Sequence, residues 1–149
     1  MSQQDLTPFL DARQNQLQLE MAAADPIDTK ALGVLASDFA MLLFIAQSAM
    51  TDVRAAFTLL ITLALVISLL LSCAAIWPRD YAGTSTNALE HPEYLKFGSA
   101  KLVRQLIADS EIAILQNQSI NKHRWKRCSQ SLILTLLASA MLFAMIYFK

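Results

Sequence analysis

Glycine is scarce in this chain, with three among 149 residues, which excludes the glycine-rich loops that cradle phosphate in many nucleotide-handling enzymes. Histidine and cysteine are scarcer still, at two each. His91 stands in a loop-like segment and His123 in a basic cluster, and neither belongs to an H-x-x-x-H or H-E-x-x-H pair. Cys73 and Cys128 make neither a Cys-x-x-Cys motif nor a metal-ligand spacing, so they read as small buried or interfacial thiols. A G-x-S-x-G elbow is also missing. The sequence therefore nominates no catalytic residue, no metal site and no resident cofactor, and an enzyme is not expected. Charge is thin as well: 16% of residues are charged and the formal net charge is zero.

Apolar residues fill the space these absences leave, at 55% of the chain. The organising stretch is Ala55–Trp77, AAFTLLITLALVISLLLSCAAIW, whose 23 residues include no charge, no Gly and no Pro. As a helix it would be about 35 Å long, enough to cross a hydrocarbon core of about 30 Å. A soluble core helix has no reason to be apolar on every face. Two further apolar blocks, Ala31–Met50 and Ser129–Phe148, complete an all-α membrane protein with three transmembrane helices. A secretory signal peptide is not expected, because the first block follows Asp5, Asp11, Glu20, Asp25 and Asp28.

In chain order, residues 1–25 read as an N-terminal amphipathic helix with Thr7 as N-cap and Pro8 in first position, ended by Asp25-Pro26. Its far face, Asp11, Asn15, Gln16 and Glu20, is polar and acidic, so it suits packing on another helix better than lying on anionic lipid. The first span, 31–50, carries Asp38 and Gln47, nine residues apart and so on opposite faces. An acid within a span costs a few kcal/mol and faces protein or water. Asp38 is thus a candidate for a contact between helices or subunits, or for the lining of a membrane path, and Gln47 is a second candidate on the other face. Thr51-Asp52-Val53-Arg54 reads as a short connection that makes the first two spans an antiparallel hairpin. The second span is 55–77, and Trp77-Pro78-Arg79 marks its water boundary. A loop at 80–91 precedes a helical pattern from Pro92 that continues into the third span, 129–148. One helix from Pro92 to Phe148 would reach about 85 Å, with any kink placed at Gln116–Asn121.

Orientation follows from eight Lys/Arg between Arg79 and Arg127, against Arg54 in the hairpin and Lys149 at the end. The N-terminus and residues 78–128 are expected in the cytosol. Lys122–Arg127 abuts a span, so it reads as a membrane anchor rather than a nucleic-acid patch. Lys96, Lys101 and Arg104 near a helix start are the candidates for binding a small anion, with a solvated helix face as the alternative. Ala31, Gly33, Ala36, Ser37 and Ala40 offer a small-residue surface for homo-oligomerisation.

Several short segments, in order, resemble the Pycsar effector transmembrane (PycTM) family over residues 25–149. These are Asp28-Thr29-Lys30-Ala31 leading into the first span, Trp77-Pro78-Arg79 ending the second, the Tyr-Leu-x-Phe run Tyr94–Phe97, and the Gln- and Asn-bearing helix Ile112–Ile120. Asn121-Lys122-His123-Arg124-Trp125 then leads to the last span, with Lys122 directly after Asn121 where the family has an intervening residue. The resemblance implies a membrane effector of bacterial antiphage defence in the inner membrane. Its regulatory ligand would be a cyclic pyrimidine nucleotide, cUMP or cCMP, made by a partner cyclase. No cyclic-nucleotide-binding domain is recognisable in the chain. A small membrane scaffold and a holin-like lysis protein are the alternatives the residues leave open.

Overall fold

The computed structural model describes residues 3–47, 52–82 and 99–147. Among them are four helices and no strand: α1 Gln3–Ala22, α2 Ala24–Gln47, α3 Asp52–Ile76 and α4 Ser99–Tyr147. Stretches Pro8–Gln47, Ala55–Ile76 and Ala100–Tyr147 each contain a run long and apolar enough to cross a membrane. The chain divides into two compact units, one formed by residues 1–24 and 79–122, the other by 25–78 and 123–149.

Several helix ends differ from the sequence expectation. α1 begins at Gln3, so Thr7 is no N-cap and Pro8 lies inside the helix. Pro8 falls in the second turn, where it has no N–H to give the carbonyl four residues earlier, so α1 forgoes one backbone bond there. The break falls at Ala23, not at Asp25-Pro26. Asp25 and Pro26 instead occupy the first turn of α2, where an acid suits the helix dipole and proline sacrifices no bond. Asp52–Arg54 is the start of α3 rather than a loop, which moves the connection to residues 48–51, outside the described residues. The expected loop at 80–91 and helix start at Pro92 also lie largely outside them. From Ser99, α4 is helical without interruption, including 116–121.

Within the second unit, buried positions recur at alternating steps of three and four. They are Ile27, Ala31, Val34 and Asp38 along the start of α2, and Thr58, Ile61, Leu65, Ser68, Ser72 and Ala75 along α3. In α4 they are Arg124, Cys128, Ser131, Thr135, Ala138 and Leu142. This is the seam of left-handed helix packing, and it buries one narrow stripe per helix. Contacts fix the directions: Asp38 meets Thr135 and Met41 meets Ser139, so α2 runs with α4. Thr58 meets Met145 and Ala75 meets Arg124, so α3 runs against α4.

The outward faces of this unit are apolar, as Phe39, Leu43, Leu59, Leu63, Leu70, Ile133 and Leu137 illustrate. Its interior holds Asp38, Ser68, Ser72, Ser131, Thr135 and Arg124. In water that distribution would be inside out; in lipid it places each side chain in its cheaper medium.

The first unit is organised differently. Leu17, Ala113 and Ile114 form its apolar cluster, with Ala82 packed against them. Two asparagines of α4 hold the chain that follows α3. The Asn117 side chain accepts from the Ala82 amide at 2.8 Å and donates to the Ala82 carbonyl at 2.9 Å, the pairing a neighbouring strand would offer. Asn121 accepts from the Tyr81 hydroxyl at 2.7 Å and donates to the Glu20 carbonyl at 2.7 Å, joining α1 to the same place. Arg13 and Glu111 pair at 2.8 Å on the surface, where such a bridge adds little. Replacing Asn117 by alanine is expected to release Tyr81–Ala82, because two backbone groups lose their partners at about 1–3 kcal/mol. Hydrogen exchange at the Ala82 amide should accelerate while the helical circular dichroism stays; an unchanged exchange rate would show that Asn117 holds nothing there.

Candidate functional site

Four layers of contact stack along the second unit, and their order follows from where each side chain falls on the seam. The first layer is ionic. Arg124 is buried, and its guanidinium makes an ion pair with Asp28 while its Nε donates to the Ala75 carbonyl at 2.7 Å. Arg127 donates to the Ala74 carbonyl at 3.2 Å. Two arginines of α4 thus cap the last turn of α3, where the helix dipole is negative and carbonyls lack intrahelical donors. Beside them Lys30 lies 4.5 Å from the centre of the Trp125 ring. The second layer is apolar and small: Ile27, Ala31, Ala75 and Cys128.

The third layer is polar and buried. Ser72 Oγ lies 2.6 Å from Ser131 Oγ, Ser68 Oγ lies 2.8 Å from both Ser131 Oγ and Thr135 Oγ1, and Thr135 donates to Asp38 Oδ1 at 2.7 Å. Each hydroxyl has one proton, and one assignment uses them all. Ser72 donates to Ser131, Ser131 to the Ser68 carbonyl at 2.9 Å, Ser68 to Thr135, and Thr135 to the carboxyl. Oδ2 of Asp38 is then left over: it is buried and has no hydrogen-bond partner. The fourth layer closes the unit with Ile45, Ile61, Leu65, Ala138 and Leu142. A polar row ending in a carboxyl is therefore sealed between two apolar layers. Such a row would present hydroxyls and an acid to water if the helices separated.

The sequence candidates are distributed unevenly around this arrangement. Asp38 is inside it. Gln47 is exposed at the end of α2 and takes no part, so the two do not form one lining. Lys101 and Arg104 are exposed on α4 in the first unit. Lys96 lies outside the described residues. Among the small residues of α2, Ala31 is buried in the second layer while Gly33, Ala36, Ser37 and Ala40 face outward. The spacing-based reading missed Ser68, Ser72, Ser131 and Thr135. A signal was available: both pairs stand four residues apart within otherwise apolar runs, which puts each pair on one helix face. It also missed that Arg124 and Arg127 of the basic run turn toward α3, with Arg124 buried. The segments Asp28–Ala31 and Arg124–Trp125, far apart in sequence, meet here through Asp28–Arg124 and Lys30–Trp125.

No protein-family model matches the chain, and neither a characterised protein nor a solved structure is similar to it.

Proposed function

We propose that this chain is a gated membrane effector of the kind the PycTM resemblance implies. It sits in a bacterial inner membrane with its N-terminus and residues 78–128 in the cytosol, assembles as a homo-oligomer, and impairs the membrane when a cyclic pyrimidine nucleotide, cUMP or cCMP, is bound. α2 and α3 are the hairpin of this reading. Lys96, Lys101 and Arg104 are the residues assigned to the nucleotide phosphate.

The observation that carries the reading is the enclosed polar row. An acid at the centre of a spanning helix costs about 2.5–3.5 kcal/mol on insertion scales, and a buried polar atom without a partner adds to that. A scaffold could hold its helices with the Ser and Thr hydroxyls, which already bond across α3 and α4, and would not need the acid. A protein with a second, wetter arrangement of the same helices does, because Asp38 and the hydroxyls find water there. A ligand that binds the wetter state more tightly shifts the population toward it.

The test is dye leakage and conductance from liposomes holding the purified full-length chain, with cUMP, cCMP or purine cyclic nucleotides added. Leakage with a pyrimidine nucleotide alone is expected, and its loss in the double charge reversal Lys101→Glu/Arg104→Glu would assign the phosphate contact. Leakage without any nucleotide would replace this reading with the holin-like one. An intact membrane under every nucleotide would leave the scaffold.

A further inference from the structure

We propose that an open groove between α2 and α4 of the second unit is a binding site for one acyl chain of an anionic phospholipid, with Lys30 holding the headgroup phosphate. This goes beyond the gating reading and does not depend on it. The groove has a volume of about 550 Å³ and runs between Lys30 and Trp125 at one end and Met41 and Ser139 at the other. That size suits a small ligand.

Three features favour a lipid chain over a protein helix. The first is length. Lys30 to Met41 is 41 − 30 = 11 residues of α2, about 16 Å of helix. That is roughly half of a hydrocarbon core of about 30 Å, hence the depth of one leaflet. A partner helix packed along the full depth of the bilayer would need a seat about twice as long. The second feature is the lining. Its floor is opened by Gly33, where an added Cβ would meet nothing within 4 Å. The Ser37 and Ser139 hydroxyls donate to carbonyls of their own helices, Gly33 and Thr135, at 3.0 and 2.7 Å. Thr135, also in the wall, is engaged with Asp38. The groove therefore offers an occupant contact surface and few free hydrogen-bond donors.

The third feature is charge. Lys30 is exposed at the mouth and carries its ammonium over Trp125, the kind of aromatic side chain that sits at headgroup depth. An ammonium there pairs with a phosphate oxygen while the chain below it follows the groove. A zwitterionic lipid has the same phosphate but brings its own cation, so the site prefers a lipid with net negative charge.

The experiment uses the purified full-length chain in detergent, exposed to phosphatidylglycerol and phosphatidylcholine with matched acyl chains, with bound lipid counted by native mass spectrometry. The wild type is expected to retain one phosphatidylglycerol in preference to phosphatidylcholine by about fivefold, the ratio one basic residue near a lipid surface supplies. Lys30→Gln should erase the preference while leaving retention itself. Gly33→Leu should expel both lipids, and Leu32→Phe, an exposed position outside the groove, should change nothing. Circular dichroism of each variant checks that the helices form, and Ser37→Leu provides a second filling variant should Gly33→Leu fail. Equal retention of the two lipids by the wild type would overturn the proposal. So would full retention in both filling variants. A disulfide between protomers at Gly33→Cys, formed in phosphatidylglycerol membranes, would give the groove to a second copy instead.

Discussion

Replacing Asp28 by alanine is expected to destabilise the second unit by about 3 kcal/mol, more than replacing its partner Arg124 by methionine. The asymmetry comes from burial. The Arg124 side chain is 5% exposed and that of Asp28 37%. Removing the carboxylate leaves a guanidinium charge in the interior, the situation that costs about 3–5 kcal/mol when a buried pair is broken from one side. The lower end applies because Asp28 is partly hydrated. Removing the arginine instead leaves a carboxylate that already reaches water, together with the Ala75 carbonyl short of a donor, worth about 1–2 kcal/mol. The double variant Asp28→Ala/Arg124→Met should then be more stable than Asp28→Ala alone, since neither charge remains. Unfolding of the purified chain in detergent, followed by helical circular dichroism, measures all three. Equal and additive losses would mean that the two side chains do not hold each other.

That ion pair also marks where sequence reading works and where it stops. The apolar spans were legible because hydropathy is a property of a run: Ala55–Trp77 was expected and α3 is Asp52–Ile76. Burial of Asp38 inside protein was among the expected alternatives, because lipid leaves an acid few other places. The start of α2 was misplaced because Asp25-Pro26 carries two meanings. Proline ends the helix before it and also suits the first turn of the helix it begins. Only the neighbouring helices decide which applies. The partner of Asp38 was not legible, because Thr135 lies 97 residues away and any of several hydroxyls would have served. Arg124 was hidden for a similar reason. In the run Lys122–Arg127 every basic residue looks like a membrane anchor, and only the buried series Asn117, Asn121, Arg124, Cys128 shows which one is buried. The anion candidates rest on charge near a helix start, and both Lys101 and Arg104 are exposed.

The second large effect is expected at Asp38, where stability and function should move in opposite directions. Leucine at this position removes a buried carboxyl whose Oδ2 has no partner and places an apolar side chain beside the layer of Ile45, Ile61 and Leu65. On insertion scales the exchange of Asp for Leu at a span centre is favourable by about 3–4 kcal/mol, against which overpacking costs about 1–3 kcal/mol. The Thr135 hydroxyl keeps an acceptor, the Ser131 carbonyl at 3.1 Å. A net gain of about 1 kcal/mol in unfolding free energy follows from these terms. Asparagine has nearly the shape of aspartate but puts an N–H group where Oδ2 finds no partner, so it should leave stability close to wild type. If the proposed gating holds, both variants should lose most nucleotide-triggered leakage in the liposome assay, because the proposed wetter state loses its carboxyl and leucine also stabilises the sealed one. Leakage at the wild-type level in both, with Asp38→Leu less stable than wild type, would make the carboxyl a packing contact and remove it from any membrane path. A more stable, silent Asp38→Leu would instead mean that the acid is kept for a state other than the one in which it is buried.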